Sequence, residues 1–363
     1  MRRMPALSRI AFAFSLLTVC VTAHAQLTFN FVGIDSIDAR AAQGFRDAGA
    51  IWSSIISTPI TVNIQVGFAS LNPGVLAQAQ SASLALNYSD VRAGLAARAT
   101  SGYDAAAVTS LQAGPNLRFL TNNPDGSTLD DNNGTDNNAA LDVNRANAKA
   151  LGLLSATDST LDATITFSSG FAYDFDRSDG VIDGDKYDFV GLALHEIGHS
   201  LGFVSGVDTV DYFTLPNAPG GTTPDGQPDL QGFAVYSVLD LFRYSDDPLS
   251  DVVGFGKIPD LRQGNNAFNA FFSLDKGQTN LGQFSTGQFD GDGRQASHWK
   301  DNQGLGVMDP TAGQGELLRI TDLDRVAFDV IGYTVVVPEP ASLVLLLPYL
   351  VFALVVRRRS RFS

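Results

Sequence analysis

One segment of the chain, residues 187–203, constrains the fold more than any other. Its apolar residues recur at spacings of four, three and four, which places them in one stripe and predicts an amphipathic helix. They are Val190, Leu194, Ile197 and Leu201. Asp185 is the expected N-cap, with Asp188 at the third helical position, and Gly202 is a natural end for the helix.

This predicted helix carries an H-E-x-x-H motif, His195-Glu196-Ile197-Gly198-His199. The spacing of the histidines puts both imidazoles on one helix face, where their nitrogens can bind one ion at about 2.0–2.1 Å. Glu196 is rotated by about 100° from His195. It can therefore act as the general base that accepts a proton from an attacking water.

A catalytic zinc site needs a third protein ligand and leaves one position open for water. The one cysteine, Cys20, lies in the N-terminal segment, so the body of the protein has no thiolate ligand. His298 is the only further histidine of the body and is the expected third ligand. Asp208, just beyond the helix, is the alternative, because carboxylates also bind zinc.

The motif His195-Glu196-x-x-His199-x-x-Gly202 resembles the zinc signature of the metzincin metalloproteases. That signature usually has a third histidine three residues after the glycine, where this chain has Ser205. The leishmanolysin-like subgroup instead carries this histidine after a long insertion, in a Ser-His-Trp context shortly before the Met-turn. This chain has Ser297-His298-Trp299 and then Gly306-Val307-Met308-Asp309-Pro310. The resemblance covers about 160–333, although 204–297 does not match word for word.

The resemblance implies an α+β fold of the metzincin type. An N-terminal mixed β-sheet with helices would end in the active-site helix, and an irregular C-terminal subdomain would hold the Met-turn and a final helix. His195, His199 and His298 would bind zinc and Glu196 would be the general base. Met308 would lie beneath the ligands as the Met-turn residue, an ordinary core side chain being the alternative.

The resemblance also implies a strand beside the active-site helix that pairs with extended substrate. The alternating segment Leu161 to Phe167 lies just upstream of the helix and is assigned that role. Its expected substrate-binding residues are Thr164, Ile165, Thr166 and Phe167. A core strand without any role at a sheet edge is the alternative.

Hydrophobic periodicity predicts further elements along the chain. Helices are expected over 37–57, 140–152, 234–245, 321–331 and the alanine-rich segment 74–112, which is broken near 88–90 and 101–102. Strands are expected over 60–68 and 161–167, and a hairpin over 270–285 around Asp275-Lys276-Gly277. Loops are expected over 122–138, 174–185 and 215–229.

Both ends of the chain carry patterns of targeting signals. A basic start, an apolar stretch over 10–21 and Ala23-His24-Ala25 predict a secretory signal peptide over 1–25, a buried helix being the alternative. Pro338-Glu339-Pro340, an apolar run over 341–356 and an arginine-rich tail resemble the PEP-CTERM sorting signal of Gram-negative bacteria. That resemblance implies an exosortase-type sorting enzyme as a partner. A plain membrane anchor is the alternative.

The predicted organisation therefore has four parts: a signal peptide at 1–25, an N-terminal catalytic subdomain at 26–203, a C-terminal catalytic subdomain at 204–336 and a sorting segment at 337–363. The body would be exported to the cell surface or extracellular matrix, with membrane contact through the C-terminal segment alone. A hydrophobic content of 44% provides a core, and a net charge of −14 argues against nucleic acid as a partner.

Acidic residues are concentrated in two loops that could bind calcium, although neither follows the EF-hand register. They are Asp174, Asp176, Asp179, Asp183 and Asp185 in one loop, and Asp290 and Asp292 in the other. A solvated acidic surface is the alternative.

Two functions are consistent with these residues. The first is an exported zinc-dependent endopeptidase that acts on proteins or peptides. The second is a surface or matrix adhesion protein on a metzincin scaffold, with little or no catalysis. Glu196 favours the enzyme, because a purely structural zinc site needs no general base.

Overall fold

The computed structural model describes residues 26–335 with the exception of 124, 214–219, 221–229 and 265–268. The predicted signal peptide, the predicted sorting segment and nearly all of the predicted loop 215–229 lie outside the described residues. Within the described part of the chain, no helix combines the length and apolar character needed to cross a membrane.

Short strands and helices alternate along the chain, and the fold class is α+β, as predicted. The strands are β1 (Thr28–Val32), β2 (Thr61–Ala69), β3 (Ala77–Ser81), β4 (Ser83–Asn87), β5 (Phe119–Asn122), β6 (Thr128–Asp131), β7 (Ala140–Asn144), β8 (Ala163–Ser168), β9 (Tyr173–Asp174), β10 (Tyr187–Asp188), β11 (Arg243–Tyr244), β12 (Asp251–Val252), β13 (Gly256–Lys257), β14 (Phe271–Phe272) and β15 (Gly282–Gln283).

The α-helices are α1 (Ala39–Ile55), α2 (Tyr88–Arg98), α3 (Gly102–Ser110), α4 (Asp136–Ala139), α5 (Arg145–Leu151), α6 (Phe189–Leu201), α7 (Val207–Phe213) and α8 (Asp322–Val330). Short 3₁₀ helices cover Ile34–Ser36, Leu239–Phe242 and Pro248–Ser250. The helices predicted over 37–57, 187–203 and 321–331 are confirmed as α1, α6 and α8.

The largest sheet is mixed and has the strand order β1-β2-β8-β3. The first three strands are parallel, and β3 runs antiparallel to β8 at the edge of the sheet. On β2, Val62, Ile64 and Val66 are buried at alternate positions, as expected for a strand with one face on the core. The strands predicted over 60–68 and 161–167 are confirmed as β2 and β8.

Helices α1 and α6 pack against this sheet, and aromatic side chains fill the space between them. Phe45 of α1 meets Phe167 of β8 and Phe189 of α6 edge to face, with ring centroids 5.4 and 5.3 Å apart. The indole of Trp52 on α1 donates a hydrogen bond to the Leu194 carbonyl oxygen at 3.0 Å. These buried contacts fix the position of α6 against the sheet.

The described residues after α6 lie mostly in turns and short strands. The predicted hairpin over 270–285 is confirmed: β14 pairs antiparallel with β15, and Lys276 and Gly277 take positive φ in the turn between them. Buried side chains from both sides of residue 203 belong to one hydrophobic cluster, and α8 packs into it. The predicted division into subdomains at 203 stays a prediction.

Several secondary-structure predictions were wrong in part, for one shared reason. Within 74–112, the alanines of Ala77-Gln78-Ala79-Gln80-Ser81 alternate with polar residues and form strand β3, although alanine favours helices. Pairing with β8 outweighs this intrinsic preference. Pairing with β4 likewise makes 140–144 strand β7 before helix α5 begins at Arg145.

Two further segments differ from the sequence prediction. The predicted loop 122–138 contains β6 and the short helix α4, and the predicted helix 234–245 is reduced to a 3₁₀ turn over Leu239–Phe242. In that turn the buried carboxylate of Asp240 accepts a hydrogen bond from the Ser237 N–H at 2.8 Å, which closes the local backbone without a full helix.

The predicted edge position of β8 was also wrong. This strand is hydrogen-bonded to β2 on one side and to β3 on the other, so its backbone is already paired along Thr164, Ile165, Thr166 and Phe167. The alternative, a core strand without a role at the edge, describes β8 correctly. The edge strand beside β8 is β3, and β1 forms the opposite edge of the sheet.

Candidate metal centre

Helix α6 presents two of the candidate ligands and is fixed at both ends. Asp188, not the expected Asp185, is its N-cap, and the carboxylate accepts the Gly191 N–H at 2.9 Å and the Leu318 N–H at 3.0 Å. At the other end Gly202 has φ 115°, and its N–H closes the last turn. The expected end of the helix at Gly202 is confirmed.

Three imidazoles converge beside this helix. The Nε2 atoms of His195, His199 and His298 form a triangle with sides of 3.0, 3.1 and 3.2 Å. An ion with tetrahedral coordination and metal–nitrogen distances of about 2.0–2.1 Å would hold its nitrogen ligands about 3.3 Å apart. The three histidines are the one group of three or more potential metal ligands found among the described residues, and they could hold a metal ion.

The second nitrogen of each ring shows which atoms face the centre. The Nδ1 atoms lie 2.7 Å from the Val307 oxygen for His195, 2.7 Å from the Phe203 oxygen for His199 and 3.2 Å from the Gln295 oxygen for His298. Because a carbonyl oxygen only accepts, each Nδ1 carries the hydrogen and each Nε2 presents a lone pair. Three lone pairs facing one another without a donor fit a cation at their centre.

Burial also keeps these imidazoles in the neutral form that binds metals. It lowers the pKa of His195 to about 4 and that of His199 to about 3. Burial, followed by the neighbouring histidines, lowers the pKa of His298 well below its ordinary value. All three rings are therefore neutral at neutral pH, with one N–H each, even when no metal is bound.

Glu196 lies in the same cleft as the histidines and is 5% exposed. Burial raises the pKa of its carboxyl group to about 8, while a hydrogen bond from the Ala79 backbone of β3 acts in the opposite direction. A cation at the histidines would also favour the ionised form. Such a carboxyl group has a pKa suited to exchanging protons near neutral pH.

His298 lies on an irregular segment that Asp208 holds in place. The Asp208 carboxylate on α7 accepts the Ala296 N–H at 2.5 Å and the Ser297 N–H at 3.1 Å, and also the Ser297 hydroxyl. Asp208, the alternative third ligand, is therefore directed at the backbone that carries His298. It positions the third histidine and is outside the ligand group.

Ser205 occupies the position at which the usual metzincin signature has its third histidine. Its backbone N–H donates to the Ser297 hydroxyl at 3.0 Å, and its hydroxyl donates to the buried Asp240 at 2.6 Å. The residue therefore connects the end of α6 to the segment that delivers His298.

The buried carboxylate of Asp324 on α8 organises the segment after His298. It accepts the Val307 N–H at 2.9 Å, the Trp299 indole N–H at 2.8 Å and the Thr321 N–H at 2.7 Å. Val307 is the residue whose carbonyl oxygen accepts from His195. Asp324 thus links the final helix to two residues that neighbour the metal centre.

Met308 lies fully buried against α6. A Cβ at Gly198 would come within 2.5 Å of the Met308 sulfur, so the glycine allows the close approach. Gly198 directly precedes His199, and the sulfur therefore packs beneath the turn of helix that carries the ligand. The side chain is also part of the hydrophobic core, and its role as the Met-turn residue stays a prediction.

The histidines open onto a cleft of about 1010 Å³. One wall is β3. On either side of this strand, the Ser168 N–H donates to the Leu76 oxygen and the Ala82 N–H donates to the Asp162 oxygen, both at 2.8 Å. In an antiparallel ladder such bonds alternate along the strand, so the backbone groups of 77, 79 and 81 point away from β8. The hydrogen bond from Ala79 to Glu196 agrees with this direction.

The two acidic loops bring together no comparable group among the described residues. Asp174 accepts the backbone N–H groups of Asp176 and Asp183 at 3.0 and 2.9 Å, and Asp183 also pairs with Lys186 at 2.6 Å. Asp292 pairs with Lys300 at 2.7 Å. These carboxylates close turns or bind lysines, and calcium binding stays a prediction from sequence.

Sequence reasoning did not identify Asp324, Asp240 or β3 as parts of this region. The T-x-x-D pattern of Thr321 and Asp324, a capping box, could have placed Asp324 at a helix start. It could not have revealed the contacts with Val307 and Trp299. The period-two alternation over 77–81 was the one local sign of a strand.

Comparison of this chain with protein-family models, with curated proteins and with solved structures finds no match.

Proposed function

We propose that this protein is an exported zinc-dependent endopeptidase that resembles the leishmanolysin-like metzincins. The observation that carries the proposal is the convergence of three Nε2 lone pairs beside Glu196 in an open cleft. Three neutral nitrogen ligands suit zinc, and an open fourth position is typical of a catalytic zinc site. Zinc in such a site supplies Lewis-acid activation of a water and of the substrate carbonyl.

Residues of the chain transfer the proton and orient the metal ligands. Glu196 accepts the proton of the attacking water and passes it to the leaving amine. The carbonyl oxygens of Val307, Phe203 and Gln295 hold the three imidazoles in the required tautomer and orientation.

Extended substrate would be held by β3. Its backbone groups at 77 and 81 point away from β8 and can pair with a peptide added as a further strand, whereas the Ala79 N–H already donates to Glu196. Such pairing recognises the backbone of the substrate and so suits an enzyme that cleaves peptide bonds. The substrate-pairing role moves from β8, where the sequence placed it, to β3.

Export and sorting complete the proposal. The targeting patterns at 1–25 and 337–363 support delivery to the surface or matrix of a Gram-negative bacterium, with an exosortase-type enzyme as partner. The same patterns suit a matrix adhesion protein. Catalysis therefore decides between the two functions.

The deciding experiment compares zinc content and casein cleavage in the full chain and in the Glu196→Ala variant. We expect the variant to keep about one zinc per chain, because the ligands remain, and to lose about 100-fold or more of the activity. Glu316→Ala is the matched control, since Glu316 is exposed and lies outside the cleft lining. It should cleave casein as the wild type does.

His298→Ala tests the ligand assignment in the same assay and should lose zinc together with activity. Normal zinc content in this variant would show that another group is the third ligand. Equal casein cleavage by wild type and Glu196→Ala would overturn the enzyme proposal. Zinc binding without any cleavage by the wild type would favour the adhesion protein.

A further inference from the structure

The wall of the cleft beyond the carboxyl end of β3 contains a carboxylate that the proposed reaction does not use. Asp142 lies on β7, which pairs with β4 so that Ser83 faces Asn144 and Ala85 faces Asp142. Ser83, Asp142 and Asn144 all line the cleft that contains the histidines. The other side of the same ribbon holds apolar side chains such as Leu141 and Val143, which are fully buried.

This ribbon is held firmly against the end of α6. Asn144 donates its amide N–H to the His199 carbonyl oxygen at 2.8 Å, and the Asp142 N–H donates to the Tyr236 carbonyl oxygen at 2.9 Å. These hydrogen bonds give the Asp142 carboxylate a defined position, because Asn144, two residues further on, is bonded to the end of α6.

Among the described residues no cation pairs with Asp142. Its side chain is partly buried, and its polar partner is the Ser83 hydroxyl. Burial raises the pKa of Asp142, and the hydrogen bond with Ser83 acts in the opposite direction. A partly desolvated carboxylate without a positive partner favours a ligand that brings one.

Among the described residues of the cleft lining, no unpaired cation competes for Asp142. Arg294 is the one lysine or arginine in its described lining, and it already pairs with Asp301 at 3.0 Å. Asp309 adds a carboxylate in another part of the cleft lining, where it accepts the Thr311 N–H at 3.1 Å. The charged groups of the cleft lining therefore favour basic peptides, in keeping with the overall charge of −14.

We propose that Asp142 is a specificity-determining residue that accepts a lysine or arginine side chain of the substrate. The proposal rests on the proposed peptidase function. Antiparallel pairing is the more stable form of strand addition, and it would place the amino-terminal part of a peptide beside the carboxyl end of β3. The basic residue should therefore lie about two to four positions on the amino-terminal side of the cleaved bond.

The test uses pairs of fluorogenic peptides that differ by lysine or norleucine at each of these upstream positions. At the preferred position we expect the zinc-loaded wild type to favour lysine about tenfold in kcat/KM, mostly through KM. Asp142→Asn keeps the shape and an acceptor for Ser83 but should lose the preference. Asp142→Lys should turn it towards glutamate, and raising the salt concentration should weaken it in the wild type.

Asp136→Asn is the matched control, because it removes the same charge from an exposed residue outside the cleft lining. It should leave the preference unchanged. A wild type that cleaves both peptides equally, or that prefers lysine downstream of the cleaved bond, would overturn the assignment of Asp142 while leaving the peptidase function intact.

Binding separates the two proposals if no peptide is cleaved. The same labelled peptides are titrated into zinc-loaded Glu196→Ala and into the Glu196→Ala/Asp142→Asn double variant. Asp142 is supported if the first protein binds the lysine peptide about tenfold more tightly than the norleucine peptide and the second does not. If each protein binds the lysine and norleucine peptides with equal affinity, or if both proteins prefer lysine to the same degree, the assignment of Asp142 is contradicted, whatever the outcome of the casein assay.

Discussion

The candidate metal centre combines two regions that hold their histidines by different means. His195 and His199 lie on α6, where backbone hydrogen bonds, an aspartate cap and a terminal glycine fix the ligand spacing locally. His298 lies on a segment without regular structure, and carboxylates from α7 and α8 replace the helical ladder there. The comparison teaches that a buried carboxylate accepting several N–H groups can position a loop as closely as a helix positions its side chains.

The strongest test of this comparison removes the carboxylate of Asp324. In Asp324→Ala the N–H groups of Val307, Trp299 and Thr321 lose their acceptor inside the core. We expect the metal-free protein to lose about 3–5 kcal/mol of its free energy of unfolding, measured by urea denaturation. Asp322→Ala, on the exposed side of the same first turn, should lose less than about 1 kcal/mol.

A loss of stability as small as that of the exposed control would show that the segment after His298 does not depend on Asp324. The segment of His298 would then be held in place by contacts other than those of Asp324, and its comparison with α6 would have to be revised.

The next largest effect should follow from Asp208→Asn. The amide has one acceptor oxygen for the three donors from Ala296 and Ser297, so the segment carrying His298 should loosen while α6 stays intact. Zinc affinity, measured by competition with a chelator, should fall about 10–100-fold. Asp211→Asn is the control on the same helix, because Asp211 accepts the Phe289 and Asp290 N–H groups and leaves His298 untouched.

Equal losses of zinc affinity in the Asp208 and Asp211 variants would mean that α7 acts through general stability. A loss confined to Asp208→Asn would show that this carboxylate holds the third ligand specifically.

The smallest expected effect is the change of zinc affinity with pH. It tests whether the segment that carries His298 excludes water from this imidazole as well as α6 does for His195 and His199. Burial holds the pKa of His195 at about 4 and of His199 at about 3, and lowers that of His298 as well. Protons compete with a metal only as the pH falls towards the ligand pKa. Zinc affinity in Glu196→Ala, which removes the neighbouring carboxyl, should therefore change less than about threefold from pH 7.5 to 5.5.

A steady loss of affinity that starts near pH 6.5, the ordinary pKa of a histidine, would indicate a solvated imidazole in the metal-free protein. The segment that carries His298 would then bury its imidazole less well than α6 buries His195 and His199.

The sequence by itself determined the features that depend on local spacing. The stripe of α6 predicted the helix, the four-residue spacing predicted two ligands on one face, and the scarcity of histidine pointed to His298. The terminal helix and the hairpin around Gly277 also followed from local patterns. His298 was found by elimination, whereas the other features depend on residues that are close together in the sequence and can therefore be predicted from local patterns.

Only the tertiary structure decided what depends on distant partners. Ala77 to Ser81 became an edge strand because β8 offers a pairing partner, and Asp208 became a support for His298 because Ala296 and Ser297 lie within its reach. Asp324 and Asp142 gained their positions in the same way. A strand pairing or a buried carboxylate gains its energy from groups far away in the chain, and no pattern of neighbouring residues specifies that contact.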